Sequence, residues 1–400
     1  MLKQIISVVG TRYIVAALNL ILIFVNARML GTEGLGTIGL ILAAININTT
    51  VNSLLGGNTL VYFMQRYPIR MLAPIALIWI AAGSAAGTAI MYLAGILPDG
   101  YALHVGLLSA LYSLILAGQR FLTGSNNFRG FNAIILLQGL TLFIALLIIY
   151  FPMEHASVDG YVAGNYISQI IAALLSFYLL IPLFRSPSDR PRPKSLEMIG
   201  RMLRYGLWSA ADNMAETLAT RLNYFLVEHF AGRGSVGLLD AATRIAESVW
   251  LISRSVAHIE YSRIARTSSN LLQRQITLRL LRITLIAITA AIAILALIPE
   301  GLYAVRFFGP GFAGIRGIIL ALAPGIIMLG GNTIMSHYFI GSGKVRYSAF
   351  SSLIGFSAIL IAAPILIPAW GTIGAAAGSS IAFASMFLFS LIIFCRQHKA

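Results

Sequence analysis

Charge is what this sequence has least of. Only 10% of its 400 residues are Asp, Glu, Lys or Arg, against 58% hydrophobic. Soluble domains carry roughly 25% charged residues, so this composition does not furnish an ordinary water-facing surface. There is one cysteine, Cys395, which excludes an internal disulfide and leaves the redox compartment undetermined. No tract is of low complexity, and the longest hydrophilic stretch, Phe184 to Arg204, is too short for a soluble domain. No Walker motif, glycine-rich dinucleotide fingerprint or metal-spaced His/Cys cluster is present. No cofactor, metal site or ATP hydrolysis is therefore expected of the chain. The largely apolar run after Lys3 continues to about Val25, too long for the core of a cleaved leader, and reads as a membrane span.

Apolar length is what the sequence has in abundance. A bilayer core of ~30 Å needs ~20 apolar residues per helix. Residues 34–65, 71–98, 130–153, 160–184 and 317–343 reach that length without one charged residue. Residues 347–395 suffice for two spans, divided at Pro364, Pro368, Trp370 and Gly371. Twelve helices are expected, near 5–29, 37–62, 71–97, 101–118, 131–151, 160–183, 205–229, 236–261, 280–299, 312–340, 347–367 and 371–395. Hydrocarbon offers no partner to an unpaired backbone group, which makes helix the expected conformation.

The basic residues test that count. With the N-terminus inside, 20 of the 28 Lys and Arg fall in cytoplasmic segments or the helix ends beside them. Only Arg28, Arg233, Arg306 and Arg316 fall outside, while Arg12, Arg221, Arg244 and Arg254 lie within helices. A miscount by one helix would scramble this bias, so twelve spans with both termini cytoplasmic are expected. The net charge of +15 is then mostly a topology signal with some anionic-lipid contact. Spread over many short loops, it does not suit nucleic acid.

Three prolines, Pro187, Pro191 and Pro193, mark a cytoplasmic linker at 185–204 between a six-helix lobe at 1–184 and another at 205–400. A faint internal echo agrees. Gly31-Thr32-Glu33-Gly34-Leu35-Gly36 follows the first span, and Gly232-Arg233-Gly234-Ser235-Val236-Gly237 follows the seventh, 201 residues later. Glycine-rich turns are also common in membrane proteins, and transporters are often built from such repeats.

Polar residues gather on the first two spans of each half. At ~100° per residue, Arg12, Asn19 and Asn26 share a stripe on the first span, and Asn48, Asn52 and Thr59 on the second, with Asn46 to the other side. The seventh carries Trp208, Asp212, Glu216 and Asn223; the eighth carries Asp240, Arg244, Glu247, Arg254 and His258. Arg221 projects opposite Asp212. A charge within a membrane helix costs ~2.5–3.5 kcal/mol on the insertion scale, so these faces should look onto protein or a water-filled cavity. Two readings stay open. Asp240 with Arg244, and Arg244 with Glu247, have intrahelical ion-pair spacing; the asparagines suit interhelical hydrogen bonds as well as a sugar. Gly83 and Gly87, four apart, permit close helix contact, and Pro324 should kink the tenth span.

Several stretches resemble the polysaccharide flippases of the multidrug/oligosaccharidyl-lipid/polysaccharide exporter superfamily. They are Asn26 to Gly36 after the first span, Leu203-Arg204-Tyr205-Gly206 opening the seventh, Val236-Gly237 with Ala241 opening the eighth, and Phe307-Phe308-Gly309-Pro310-Gly311-Phe312. The resemblance implies an all-α polytopic fold of two six-helix lobes, MATE-like and V-shaped around a central cavity, working by alternating access. The implied substrate is an undecaprenyl-diphosphate-linked oligosaccharide, such as an O-antigen or capsule unit, crossing a bacterial inner membrane. Other polysaccharide-assembly membrane proteins are implied partners. The implied substrate-binding residues are Arg12, Asn19, Asn48, Asn52, Asp212, Glu216, Arg221, Arg244, Glu247 and Arg254, with Arg12, Arg244 and Arg254 on the diphosphate. No catalytic residue is expected. The lack of two extra helices found in lipid II flippases argues against a peptidoglycan precursor.

Other classes fit less well. A small-molecule antiporter of the same superfamily should have a cavity richer in carboxylates than arginines. A major-facilitator transporter should carry a basic, glycine-bearing loop where Phe63–Arg70 stands. A membrane glycan polymerase or ligase should carry a large external loop, and the longest here is about 299–312.

Overall fold

The computed structural model describes residues 2–185, 195–264, 267 and 269–397. Eleven α-helices appear among them: α1 (Leu2–Gly56), α2 (Asn58–Met64), α3 (Ile69–Leu93), α4 (Ala102–Gly124), α5 (Phe128–Tyr150), α6 (Val158–Arg185), α7 (Ser195–Ala231), α8 (Arg233–Ile264), α9 (Asn270–Leu297), α10 (Ile315–Gly341) and α11 (Val345–Gln397). Eight of these are long and apolar enough to cross a membrane. Two of the eight, α1 and α11, are double-length and break at one left-handed glycine each, Gly31 (φ 65°) and Gly371 (φ 55°). A side chain at such a φ would be strained, which is why one glycine suffices to end a span. Charges keep α7 and α8 out of a hydropathy count, yet they are 37 and 32 residues long. With both arms of α1 and α11, twelve spans result among the described residues.

Several elements run further than expected. Residues 32–36, read as a loop, are already helical, because the break is confined to Gly31. Of the linker expected at 185–204, residues 186–194 lie outside those described, while 195–204 form the first turns of α7. Met198 and Met202, four apart and fully buried, hold those turns down. Helix α9 begins ten residues early, where the Ser269 side chain accepts from Leu272 N–H and caps the start.

The chain forms two compact units, one of Met1–Leu22 with Leu40–Ala210 and one of Ile23–Gly39 with Ala211–Ala400. In the first, Leu60, Phe63, Leu72, Ile115, Phe121, Leu122 and Ile134 form the buried core. In the second, α10 is buried along most of its length among α8, α9 and α11. Pro324 lies inside α10, which runs on as one helix from Ile315 to Gly341, and Ser380 bridges the backbone there. Its hydroxyl accepts from Gly325 N–H (3.2 Å) and donates to Ala321 C=O (2.6 Å), standing where a direct backbone bond would run. Large apolar side chains such as Ile78, Leu174, Ile286 and Ile361 are exposed on the outside, as lipid-facing residues should be.

The echoed segments meet within the second unit. A Cβ at Gly36 would strike the Arg233 carbonyl and one at Gly237 would strike the Thr32 carbonyl. The contact is reciprocal at the same offset that relates the two sequences. Gly232 shares the left-handed φ of Gly31. Nearby, Arg28 donates to the carbonyls of Arg306 and Phe307, and Phe24 packs on the rings of Phe307 and Phe308. These contacts fold the segment 302–312 onto the end of the first arm of α1.

Candidate functional site

In the first unit the buried polar side chains are mostly neutral, and the asparagines place their donors on neighbouring hydroxyls while the amide oxygens of Asn48 and Asn52 accept no hydrogen bond. Asn48 donates to Thr88 Oγ1 (3.0 Å) and Ser109 Oγ (3.2 Å); Asn52 donates to Ser84 Oγ and Ser113 Oγ (both 2.8 Å). Each partner pair is four residues apart on α3 or α4, so the second arm of α1 reads two helices in register. The amide oxygens lie where a Cβ at Gly87 or Gly83 would stand. This explains the small-residue pair as a seat for two amides. Both asparagines are only 1% exposed; the structure places them between helices, in the hydrogen-bonding role the sequence left open. Asn19 is exposed and Asn26 is buried, the latter within the second unit.

Arginine is the exception. Arg12 on α1 and Arg120 on α4 are both partly buried, and their guanidinium charges act on each other. Arg120 Nε is buried without a hydrogen-bond partner. Two cations at close range repel unless an anion joins them. The expected first six spans contain no Asp or Glu, since Glu33, Asp99, Glu154, Asp159, Asp189 and Glu197 all fall outside them, although in the structure Glu33 lies within α1 and Asp159 within the first turn of α6.

The second unit holds its charges as networks. Arg244 Nε meets Asp240 Oδ2 at 2.8 Å, the expected intrahelical pair. Glu247 instead pairs across helices with Arg221 (3.0 Å). Tyr224 ties the two pairs together, donating to Asp240 Oδ1 (3.1 Å) and lying near Arg221, which donates to its hydroxyl at 3.4 Å. Two cations and two anions therefore close a neutral set. Asp212, 9% exposed, accepts from Ser348 (2.8 Å) and Ser352 (2.7 Å) on α11. Arg254 is exposed, stacks over the Trp250 ring at 4.0 Å, and lies within electrostatic reach of Glu216. Asn223 donates to Ala375 C=O (2.9 Å) and Ser379 Oγ (2.7 Å). The side chains of Trp208 and His258 lie outside those described.

Residues 25–307 match the family described as polysaccharide biosynthesis protein. The chain belongs to that family. No curated protein matches the sequence. Solved structures supply the fold of this polysaccharide biosynthesis protein. An inward-facing MATE family multidrug transporter of the MOP superfamily aligns at TM-score 0.73 and 16% identity, covering 97% of this chain and 95% of that one. The lipid II flippase MurJ, in an inward closed conformation, aligns at TM-score 0.76 and 16% identity, covering 96% and 86%. The MATE multidrug transporter DinF-BH aligns at 0.68 and 15%, covering 98% and 94%. The chain is thus an all-helical membrane protein of the polysaccharide biosynthesis family with a MATE- and MurJ-like fold over nearly its full length.

Sequence reasoning passed over Arg120, because the fourth span was expected to end at 118. Helix α4 continues to Gly124, with Phe121 and Leu122 buried in its last turn. Those two apolar residues after Arg120 were the available signal. Arg244, Arg221 and Glu247, expected on the substrate, are engaged with one another's partners.

Proposed function

We propose that this protein flips an undecaprenyl-diphosphate-linked oligosaccharide across the bacterial inner membrane by alternating access, with both termini cytoplasmic, for surface polysaccharide assembly. The single observation that carries the reading is the Arg12–Arg120 pair, two guanidinium charges of the first unit that act on each other. Guanidinium groups stay charged and grip phosphate oxygens with bidentate geometry. A diphosphate brings the negative charge that relieves their repulsion, and amides and hydroxyls nearby suit the sugar. Arg254 and Glu216 of the second unit, outside the closed ion-pair set, are the further substrate contacts in this reading; Asn19, exposed on the same arm as Arg12, is a third.

Complementation of a flippase-null strain tests it. Wild type should restore surface glycan, while Arg12→Ala and Arg120→Ala should lose it and leave lipid-linked units facing the cytoplasm. Normal surface glycan from both variants at wild-type protein levels would remove the diphosphate site. A second reading, an antiporter of small organic cations, draws on the carboxylates Asp212 and Glu216. It requires uptake or efflux of cationic dyes by the wild type, with glycan export untouched.

A further inference from the structure

One buried acid has no part in the networks above. Glu260, near the end of α8, is 0% exposed, and neither carboxylate oxygen has a hydrogen-bond partner. Ala257 and Ile264, three and four residues away on the same face, belong to an apolar cluster completed by Met335, Tyr338 and Phe339 of α10. Three hydroxyls nearby share its condition: Ser253, Thr277 and Thr284 are fully buried and likewise without partners. Ser253 precedes Glu260 by seven residues, and Thr284 follows Thr277 by seven. Seven residues make two turns, so each pair lies on one helix face. Helices α8 and α9 follow one another and pack together. Chain order then sets Glu260 level with Thr277, which acts on it directly, and Ser253 level with Thr284, about 10 Å deeper along the seam.

An ionised carboxylate in such surroundings gives up its hydration and has only the Thr277 hydroxyl in its place. A positive charge must come to it, and among the described residues none supplies one. Arg263, Arg274, Arg279 and Arg282, the described basic residues that follow it on α8 and α9, are all exposed, while Arg266 and the side chain of His258 lie outside those described. The groups that face it are Thr277 from α9 and the phenol of Tyr338 from α10. A hard metal cation wants six or more oxygens, and one carboxylate with one hydroxyl falls well short. Among the described residues no cluster of three or more His, Cys, Asp or Glu could hold a metal. A proton needs a single oxygen.

We infer that Glu260 is a proton-binding site, carrying a proton between α8, α9 and α10 when this seam is closed. The acid O–H then donates to Thr277 Oγ1. Release breaks the O–H bond, hands the proton to water and leaves the electron pair on the carboxylate. That carboxylate has to be hydrated, so release requires the seam to open and uptake allows it to close. Proton exchange is thereby linked to a movement of α8 and α9 against α10. The site stands apart from the arginine pair of the first unit and is independent of which molecule the protein moves.

Infrared difference spectroscopy of the full-length protein in lipid at neutral pH tests it. Wild type minus Glu260→Gln should contain the C=O band of an undissociated acid, shifted in heavy water. Thr277→Val should move that band upward in frequency by removing its acceptor. Glu260→Gln, which keeps shape and neutrality, should melt at or above the wild-type temperature. A difference spectrum holding only ionised carboxylate bands, or a lowered melting temperature with no acid band lost, would overturn the assignment.

Discussion

The first unit buries its polar side chains mainly as neutral amides and hydroxyls, whereas the second buries formal charges. Asn48 and Asn52 are held by Thr88, Ser109, Ser84 and Ser113. Asp240, Arg244, Arg221 and Glu247 are held by one another and Tyr224. The Arg12 and Arg120 charges of the first unit act on each other. A closed ion-pair set spends its charge internally. Intramembrane charge is densest in α7 and α8, where most of it is paired within the protein.

The sharpest way to break this contrast is to compare arginines across the units. Replacing Arg12 and Arg120 together with Ala should reduce surface glycan to the level of the null strain, with the protein still present in the membrane. Removing Arg244 together with Asp240 should reduce it far less. Quantitative glycan staining against protein level reads both, and equal losses would erase the distinction. Next in size is Glu247→Ala, which strands Arg221. The pair is half-buried, 22% and 25% exposed, so the cost stays below the ~3–5 kcal/mol of removing one partner from a fully buried pair, and the purified protein should melt below wild type. The paired change of Arg221 and Glu247 to Met and Leu should recover most of the loss. Gly237→Ala should cost about 1–3 kcal/mol, because a methyl there must push the Thr32 carbonyl aside; a melting curve would register it. The smallest effect belongs to the first unit. Asn52→Ala deprives Ser84 and Ser113 of the amide donor they accept from and should cost about 1–2 kcal/mol, with glycan export retained. Export lost at unchanged melting temperature would make Asn52 a substrate ligand instead.

Hydropathy and the bias of basic residues were enough to count the spans, because lipid imposes a length and the inside rule imposes parity. The ends of spans were less legible. Residues 195–204 and 270–279 are too polar to read as membrane, yet Met198, Met202, Gln273 and Thr277 give them a buried face and they stay helical. The asparagine ladder was readable in principle. Asn48 and Asn52, Gly83 and Gly87, Ser84 and Thr88, and Ser109 and Ser113 all repeat at four residues, and matched spacing on three helices is the mark of a shared seam. The Arg221–Glu247 pair was not readable. Spacing along one helix offers Arg244 to Glu247 at three residues, and only the packing of α7 on α8 presents Arg221 as the better partner. Arg120 was hidden because it falls two residues past the expected end of a helix that in fact runs to Gly124.

The excursion of Ile23–Gly39 into the second unit bears on how the protein can be taken apart. Severing the chain anywhere between residues 185 and 195 would give two polypeptides, but not two self-sufficient pieces. The downstream fragment alone would lack the stretch that seats Gly237, anchors the 302–312 segment through Arg28 and stacks Phe24 on Phe307 and Phe308. Such a fragment would be missing part of its own interior, and co-expression with the upstream partner should be needed to make it whole.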